Sequence, residues 1–270
     1  MSSGKGPPGR SPPCRDAINR VSTGGRIKIL TRYPRFYMVW GAADTQFPGG
    51  RTLFTKTMYK NKTDFLKKLK KLKVKKPIMD AYEAVDQRHF FDAMFRDRYY
   101  GDEPLPLGFG ETSDPFVSQA LMLNRLAPQK KWRVLEVGTG SGYSTSLLAH
   151  LTEYVVSIEI NEDLALVAKR NLAAVHVSNV RLFAGDGTEA NPKLGQFDAV
   201  VVWAACIKRP VSLISRVRYA GRMVFPMGPP HQQQISLLIN QPKESTEELF
   251  QTTFHEMCLF TPLYGMFGIG

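Results

Sequence analysis

Three short stretches of this chain hold residue types that could do chemistry on a nucleoside-bearing ligand. The first is Glu136-Val137-Gly138-Thr139-Gly140-Ser141-Gly142-Tyr143, with glycine at every second position from 138 to 142. A glycine lets the backbone turn sharply and approach a ligand with no Cβ in the way. A helix starting near Ser144 would aim its N-terminal amides at the same place. The second is Glu159, which ends the run Val155-Val156-Ser157-Ile158. A carboxylate about 20 residues beyond such glycines can accept from both ribose hydroxyls. The third is Asp186, within Gly185-Asp186-Gly187, which could accept from an adenine amino group. Taken singly, these are a tight turn, a charged strand end and another turn. In this order they describe one nucleoside crevice.

The spacing of the glycines selects among cofactors. A dinucleotide site calls for G-x-G-x-x-G. Here the third glycine arrives one residue early, and an acidic residue, Glu136, stands in the strand before the turn. That pattern favours S-adenosylmethionine (SAM) over a nicotinamide. The candidate cofactor-binding residues are Glu136, Gly138, Thr139, Gly140, Gly142, Glu159, Asp186 and Gly187. No Ser/His/Asp or Cys/His set is evident. Cys14, Cys206 and Cys258 are odd in number and far apart. That argues against a disulfide framework or a metal site and for a reducing intracellular compartment. Cys206 reads as a buried small residue rather than a nucleophile.

Around these stretches the pattern alternates strand and helix. Short apolar runs at 134–137, 154–160, 180–184, 199–203 and 222–226 read as buried strands. Helical patterns fall between them at 144–151, 161–174 and 209–218, with a further apolar helix at 116–126. Alternation of this kind predicts an α/β fold, a doubly wound Rossmann-like parallel sheet with helices on both faces. Segments 234–240 and 256–261 could add antiparallel edge strands. The expected division is a domain at 77–270 and a basic extension at 1–76.

That extension carries the charge. Residues 1–76 hold 19 Lys and Arg against 3 Asp and Glu, a net +16, whereas the remainder holds 17 against 21, a net −4. Such asymmetry suggests a polyanionic partner for the front end alone. Thr63 to Lys76 reads as a Lys-rich helix with Phe65, Leu66, Leu69 and Leu72 on one face, capped by Thr63 and stopped by Pro77. It could lie on RNA or an anionic membrane, or dock on its own domain. Residues 1–50, poor in acid and rich in Arg, Ser, Gly and Pro, suit a mitochondrial transit segment, an RNA-binding arm or a plain tail. No apolar run is long enough to span a bilayer.

Further stretches extend the pattern. They include Tyr99-Tyr100-Gly101-Asp102-Glu103-Pro104-Leu105-Pro106-Leu107-Gly108, Phe197-Asp198-Ala199-Val200-Val201-Val202, Gly221-Arg222-Met223-Val224-Phe225-Pro226-Met227-Gly228 and Phe260-Thr261-Pro262-Leu263-Tyr264-Gly265. With the glycine loop and Gly185-Asp186-Gly187, in order from residue 82 to about 265, the chain resembles the protein-L-isoaspartate O-methyltransferase family. The resemblance implies methyl transfer from SAM to the carboxylate of an isoaspartyl residue in a protein or peptide. It also implies that Thr112 and Ser113 serve the acceptor. The family's loop reads Gly-Gln-Thr-Ile-Ser-x-Pro, whereas this chain has the shorter Gly110-Glu111-Thr112-Ser113-Asp114-Pro115. Glu111 and Asp114 are two new carboxylates beside a carboxylate site, where like charges repel. Trp203 stands where a small or polar residue is usual. The second reading is a fold without strong catalysis, kept as a structural or assembly factor of a mitochondrial ribonucleoprotein such as a ribosome. Direct RNA methylation is weaker, because Trp203-Ala204-Ala205-Cys206 replaces an Asn-Pro-Pro-Tyr-like motif.

Overall fold

The structure, a computed structural model, describes residues 59, 61–189, 191–241 and 250–268, all within one compact unit. Helices α1 (Lys62–Lys71) and α2 (Lys76–Ala84) open it. Two turns of 3-10 helix come next, then a small antiparallel pair, β1 (Pro106–Gly108) and β2 (Glu111–Thr112), and helix α3 (Phe116–Leu126).

The alternating region then builds the sheet. It contains β3 (Arg133–Val137), α4 (Tyr143–Leu151), β4 (Tyr154–Glu159), α5 (Glu162–Ala174), β5 (Val180–Ala184), β6 (Phe197–Val202), α6 (Val211–Ile214), β7 (Val217–Met227), β8 (Gln233–Ile239) and β9 (Gln251–Cys258). The strand order is β5-β4-β3-β6-β7-β8-β9. The first five strands run parallel, and β8 and β9 add antiparallel strands at one edge. Successive side chains of a strand point to opposite faces, and each face has its own core. Val134, Val155, Ala199, Val201 and Val224 enter one core; Leu135, Val156, Val200, Val202 and Met223 enter the other. All six residues of β6 are buried, as expected for a strand covered on both faces.

The order reverses beside β3: β4 lies on one side and β6 on the other. Val137 pairs with Ile158 on β4 and Val202 on β6, so the three strands end level. Ligand crevices in such sheets open at that point. Gly138, Glu159 and Trp203, each one residue beyond that level, are thereby brought together.

Several sequence expectations shift. The Lys-rich helix is capped by Asn61, whose Oδ1 accepts from Asp64 N at 3.0 Å, and Thr63 lies inside it. It ends at Lys71, with Leu72 as its C-cap, rather than at Pro77, which sits in the first turn of α2. There the missing N–H would have had no partner anyway. Phe65 and Leu69 are buried and Leu66 and Leu72 pack on the same core, so the apolar face docks on its own fold. Lys67, Lys70, Lys71, Lys73 and Lys75 remain exposed. The helix expected at 209–218 shrinks to Val211–Ile214, because β7 already begins at Val217. The last strand lies earlier than 256–261 and releases the chain at Cys258 toward the crevice. Residues 1–58 and 60, with most of the basic extension, lie outside the described residues. Among the described residues no helix is long and apolar enough to cross a membrane.

Candidate active site

The glycine loop leaves β3 with φ of +94° at Gly138, +57° at Gly140 and +89° at Gly142. These are left-handed values that favour glycine. Glu159 pins the loop: Oε2 accepts from Gly140 N at 2.9 Å and Oε1 from Asn161 N at 3.0 Å. Asn161 in turn caps α5, accepting from Leu164 N at 3.1 Å, with Glu162 and Asp163 in the first turn where the helix dipole favours them.

Behind the loop lies a polar knot. Glu136 is wholly buried. Its Oε2 accepts from Thr145 Oγ1 at 2.5 Å and Ser157 Oγ at 2.6 Å, and its Oε1 accepts from Trp203 Nε1 at 2.7 Å. Thr139 joins through Ser157, hydroxyl to hydroxyl, at 2.6 Å. Burial raises the Glu136 carboxyl above its usual value, and the hydrogen bonds oppose that only in part. Trp203 is a wall of the crevice, held from behind by its indole N–H, and its Cβ lies 3.5 Å from where a Cβ on Gly138 would be.

The crevice is lined by Gly138, Thr139, Gly140, Glu159 and Gly187 from the cofactor candidates, and by Thr112 and Ser113 from the acceptor candidates. Three expected residues stand behind its wall. Glu136 belongs to the knot. Gly142 caps α4 and faces α5, where a Cβ would lie 3.2 Å from Leu172 Cγ. Asp186 turns toward the C-terminal segment instead of the crevice. Its Oδ1 accepts from Thr188 N at 2.7 Å and Thr188 Oγ1 at 2.6 Å, and its Oδ2 accepts from Met266 N at 2.7 Å. Partial burial works against ionisation of Asp186, but these bonds outweigh it and hold the carboxyl below its usual value.

Two groups of residues escaped the sequence reading. Tyr143 is buried where the front helices meet α4, with ring centroids 5.6 Å from Phe90, Phe91 and Phe116 and 6.2 Å from Tyr82. Only its place after the glycines hinted at a role. Residues Thr261 to Tyr264 form one side of the crevice. The strap is tied by Gln233, whose side chain bonds both Phe260 N and Phe260 O, and by Ala205, whose N and O bond Thr261 O and Leu263 N. Gly265 has φ +128°, and a Cβ there would collide with the Asp186 carboxylate. The Tyr264-Gly265 pair was the visible signal.

On the acceptor side, Ser113 N donates to Leu105 O at 2.8 Å, and its Oγ accepts from Leu105 N at 2.9 Å. The Ser113 hydroxyl therefore holds the loop against the Pro-Leu-Pro-Leu stretch. Glu111 and Asp114 also line the crevice. Burial, then the charge of Glu159, raises the Glu111 carboxyl.

This arrangement matches a known family. The model of the protein-L-isoaspartate(D-aspartate) O-methyltransferase family matches residues 60–266. The chain belongs to this family. It is 39% identical over 183 residues to the protein-L-isoaspartate O-methyltransferase of Methanoculleus marisnigri, covering 67% of this chain and 80% of that one. It is 37% identical over 194 residues to that of Petrotoga mobilis, covering 71% and 88%. The fold is that of a family structure from Plasmodium falciparum in complex with S-adenosyl-L-homocysteine, with TM-score 0.65 and 21% identity over 76% of this chain and 98% of that one. A second solved protein-L-isoaspartate O-methyltransferase has TM-score 0.68 and 22% identity over 77% and 67%. The family match starts at residue 60, so it takes in α1, which composition had grouped with the basic extension.

Proposed function

We propose that this chain is a SAM-dependent methyltransferase that esterifies the carboxylate of an isoaspartyl residue in a protein or peptide. The observation that carries the reading is the glycine loop pinned by Glu159 and facing the 112–114 loop across one crevice. The residues present fit the cofactor. A Cβ on Gly140 would come 3.4 Å from Leu107 Cδ1 and narrow the gap between glycine loop and β1. Each Glu159 oxygen accepts one backbone N–H and keeps a lone pair for a ribose hydroxyl. No Lys or Arg lines the crevice, and its carboxylates suit a ligand that carries a sulfonium and an ammonium. When bound, the cofactor supplies an electrophilic methyl group.

The chain's own task is placement. An isoaspartyl carboxylate is already ionised at neutral pH and needs no strong general base. Holding it in line with the methyl contributes the entropy of positioning. Opposite charges cancel in the transfer, so a crevice walled by Phe91, Leu107, Phe116 and Tyr143 favours it by excluding water. Thr112 offers a hydroxyl at the crevice rim, whereas the Ser113 hydroxyl is engaged in the loop fold. The test is methyl transfer from labelled SAM to an isoaspartyl peptide and to its aspartyl counterpart. Cofactor binding without transfer to the isoaspartyl form overturns the proposal.

The net +16 of residues 1–76 supports a second, separate reading: contact with RNA or a ribonucleoprotein inside the cell, in mitochondria. Full-length chain and a variant lacking residues 1–58 should differ in salt-sensitive RNA retention. Equal retention removes that reading.

A further inference from the structure

Three carboxylates line the crevice, Glu111, Asp114 and Glu159, and no Lys, Arg or His lines it. The acids in and around it differ in what holds them. Glu136 accepts from Thr145, Ser157 and Trp203, Asp186 from Thr188 and Met266, and each Glu159 oxygen from one backbone amide. The side chains of Glu111 and Asp114 have no such donor, and neither makes a hydrogen bond or ion pair among the described residues. Both residues are half-buried, so their carboxylates reach the crevice without being sealed from it. Burial, then the charge of Glu159, raises the Glu111 carboxyl; burial, then the charges of Glu136 and Glu159, raises that of Asp114. Like charges thus face one another with no cation among them. A cation that enters relieves this repulsion and favours the ionised form of both carboxyls, whereas a neutral group does neither.

SAM and the S-adenosylhomocysteine left after transfer differ by one methyl group and one positive charge, both at sulfur. We propose that Glu111 and Asp114 read that charge: they make the crevice hold the sulfonium form of the cofactor in preference to the neutral thioether. This rests on the functional reading for its cofactor, not for its acceptor. Phe91, Leu107 and Phe116 wall the same space and limit screening by water. At an effective dielectric of about 20, one charge pair still changes binding by roughly tenfold at a separation of about 10 Å. In transfer the S–CH3 bond breaks with its electron pair left on sulfur, and the methyl forms an O–CH3 bond on the acceptor. The positive charge leaves the crevice, and the attraction to the two acids leaves with it. Because they favour a charge that the step removes, these acids serve capture of SAM and release of the spent cofactor rather than the transfer itself.

The test is calorimetric binding of three ligands to the full chain: SAM, S-adenosylhomocysteine, and sinefungin, which carries an amine in place of the methylated sulfur. Wild type should bind SAM and sinefungin each about tenfold more tightly than S-adenosylhomocysteine. In the double variant E111Q/D114N that preference should fall to within about threefold, with S-adenosylhomocysteine affinity unchanged. The amides keep the size of both side chains, and the wild-type comparison stands even if the variant fails to fold. S-adenosylhomocysteine bound as tightly as SAM by wild type, sinefungin grouping with S-adenosylhomocysteine, or an equal loss for all three ligands in the variant overturns the inference. Binding of none of the three by wild type sinks the cofactor reading and this inference together. Binding of all three without preference sinks the inference alone, whichever acceptor is methylated.

Discussion

Replacing Glu136 tests whether the buried knot, rather than a direct ligand contact, explains the acidic residue before the glycine loop. In E136L three donors lose their acceptor: Thr145 Oγ1, Ser157 Oγ and Trp203 Nε1. Two can recover. Ser157 keeps Thr139, and the Thr145 hydroxyl can turn back to its own helix. The indole N–H of Trp203, in a residue only 3% exposed, cannot. A buried donor left without a partner costs about 1–3 kcal/mol, and relief of the buried carboxylate's desolvation offsets part of the loss. E136L should therefore destabilise the fold by about 2 kcal/mol. E136Q keeps a carbonyl for Trp203 and presents an amide to hydroxyls that can rotate to accept, so its loss should stay below about 1 kcal/mol. With a urea slope of about 3 kcal/mol per molar, E136L lowers the midpoint by about 0.7 M and E136Q by less than half of that. Urea titration followed by tryptophan emission and by circular dichroism measures both. Equal losses in the two variants, or none in E136L, would refute the reasoning, because the effect would then follow charge or volume rather than the orphaned donor.

Four further outcomes are expected from the same geometry. Y143A should lose about 3–5 kcal/mol, as a fully buried aromatic cut to alanine does, and calorimetry should show a melting temperature lower by roughly 10 °C; a drop under about 3 °C contradicts the keystone role. G265A places a Cβ against Asp186 and should loosen the 261–268 strap, weakening S-adenosylhomocysteine binding and exposing the C-terminal end to protease; an unchanged cleavage pattern and affinity speak against it. The Asp114 carboxyl titrates higher in the folded chain than in the unfolded one. The fold therefore holds a proton that the unfolded chain releases, and wild type loses stability as pH rises from about 4 toward the folded value. D114N should lack that slope, and parallel stability–pH curves would exclude it. Burial pushes the Cys206 and Cys258 thiols up to about 12. Neither should react with iodoacetamide at neutral pH until the chain unfolds, and rapid native labelling of Cys206 by mass spectrometry would contradict the burial.

Much of this protein is dictated by local sequence. Period and spacing suffice for the parallel strands, because a strand buried on both faces must be almost wholly apolar, as in Val200-Val201-Val202. The left-handed backbone of Gly138, Gly140 and Gly142 is equally local, since few other residues tolerate it. Helix ends were less legible. Asn61 and Thr63 are both good caps, and only the docking of Phe65 and Leu69 on the core chooses between them. The partners of the acids required the tertiary structure. Glu136, Glu159 and Asp186 look alike in sequence, yet one is buried in a knot, one lines the crevice and one ties down the C-terminal strap. A carboxylate's role depends on which donors surround it. Those donors, Trp203 and Met266 among them, lie 67 and 80 residues away along the chain. The same holds for Asp114: the sequence by itself determined that an acid stands in the acceptor loop, and only the tertiary structure decided that it lines one crevice with Glu159, because Leu105 holds the neighbouring Ser113 from outside the loop.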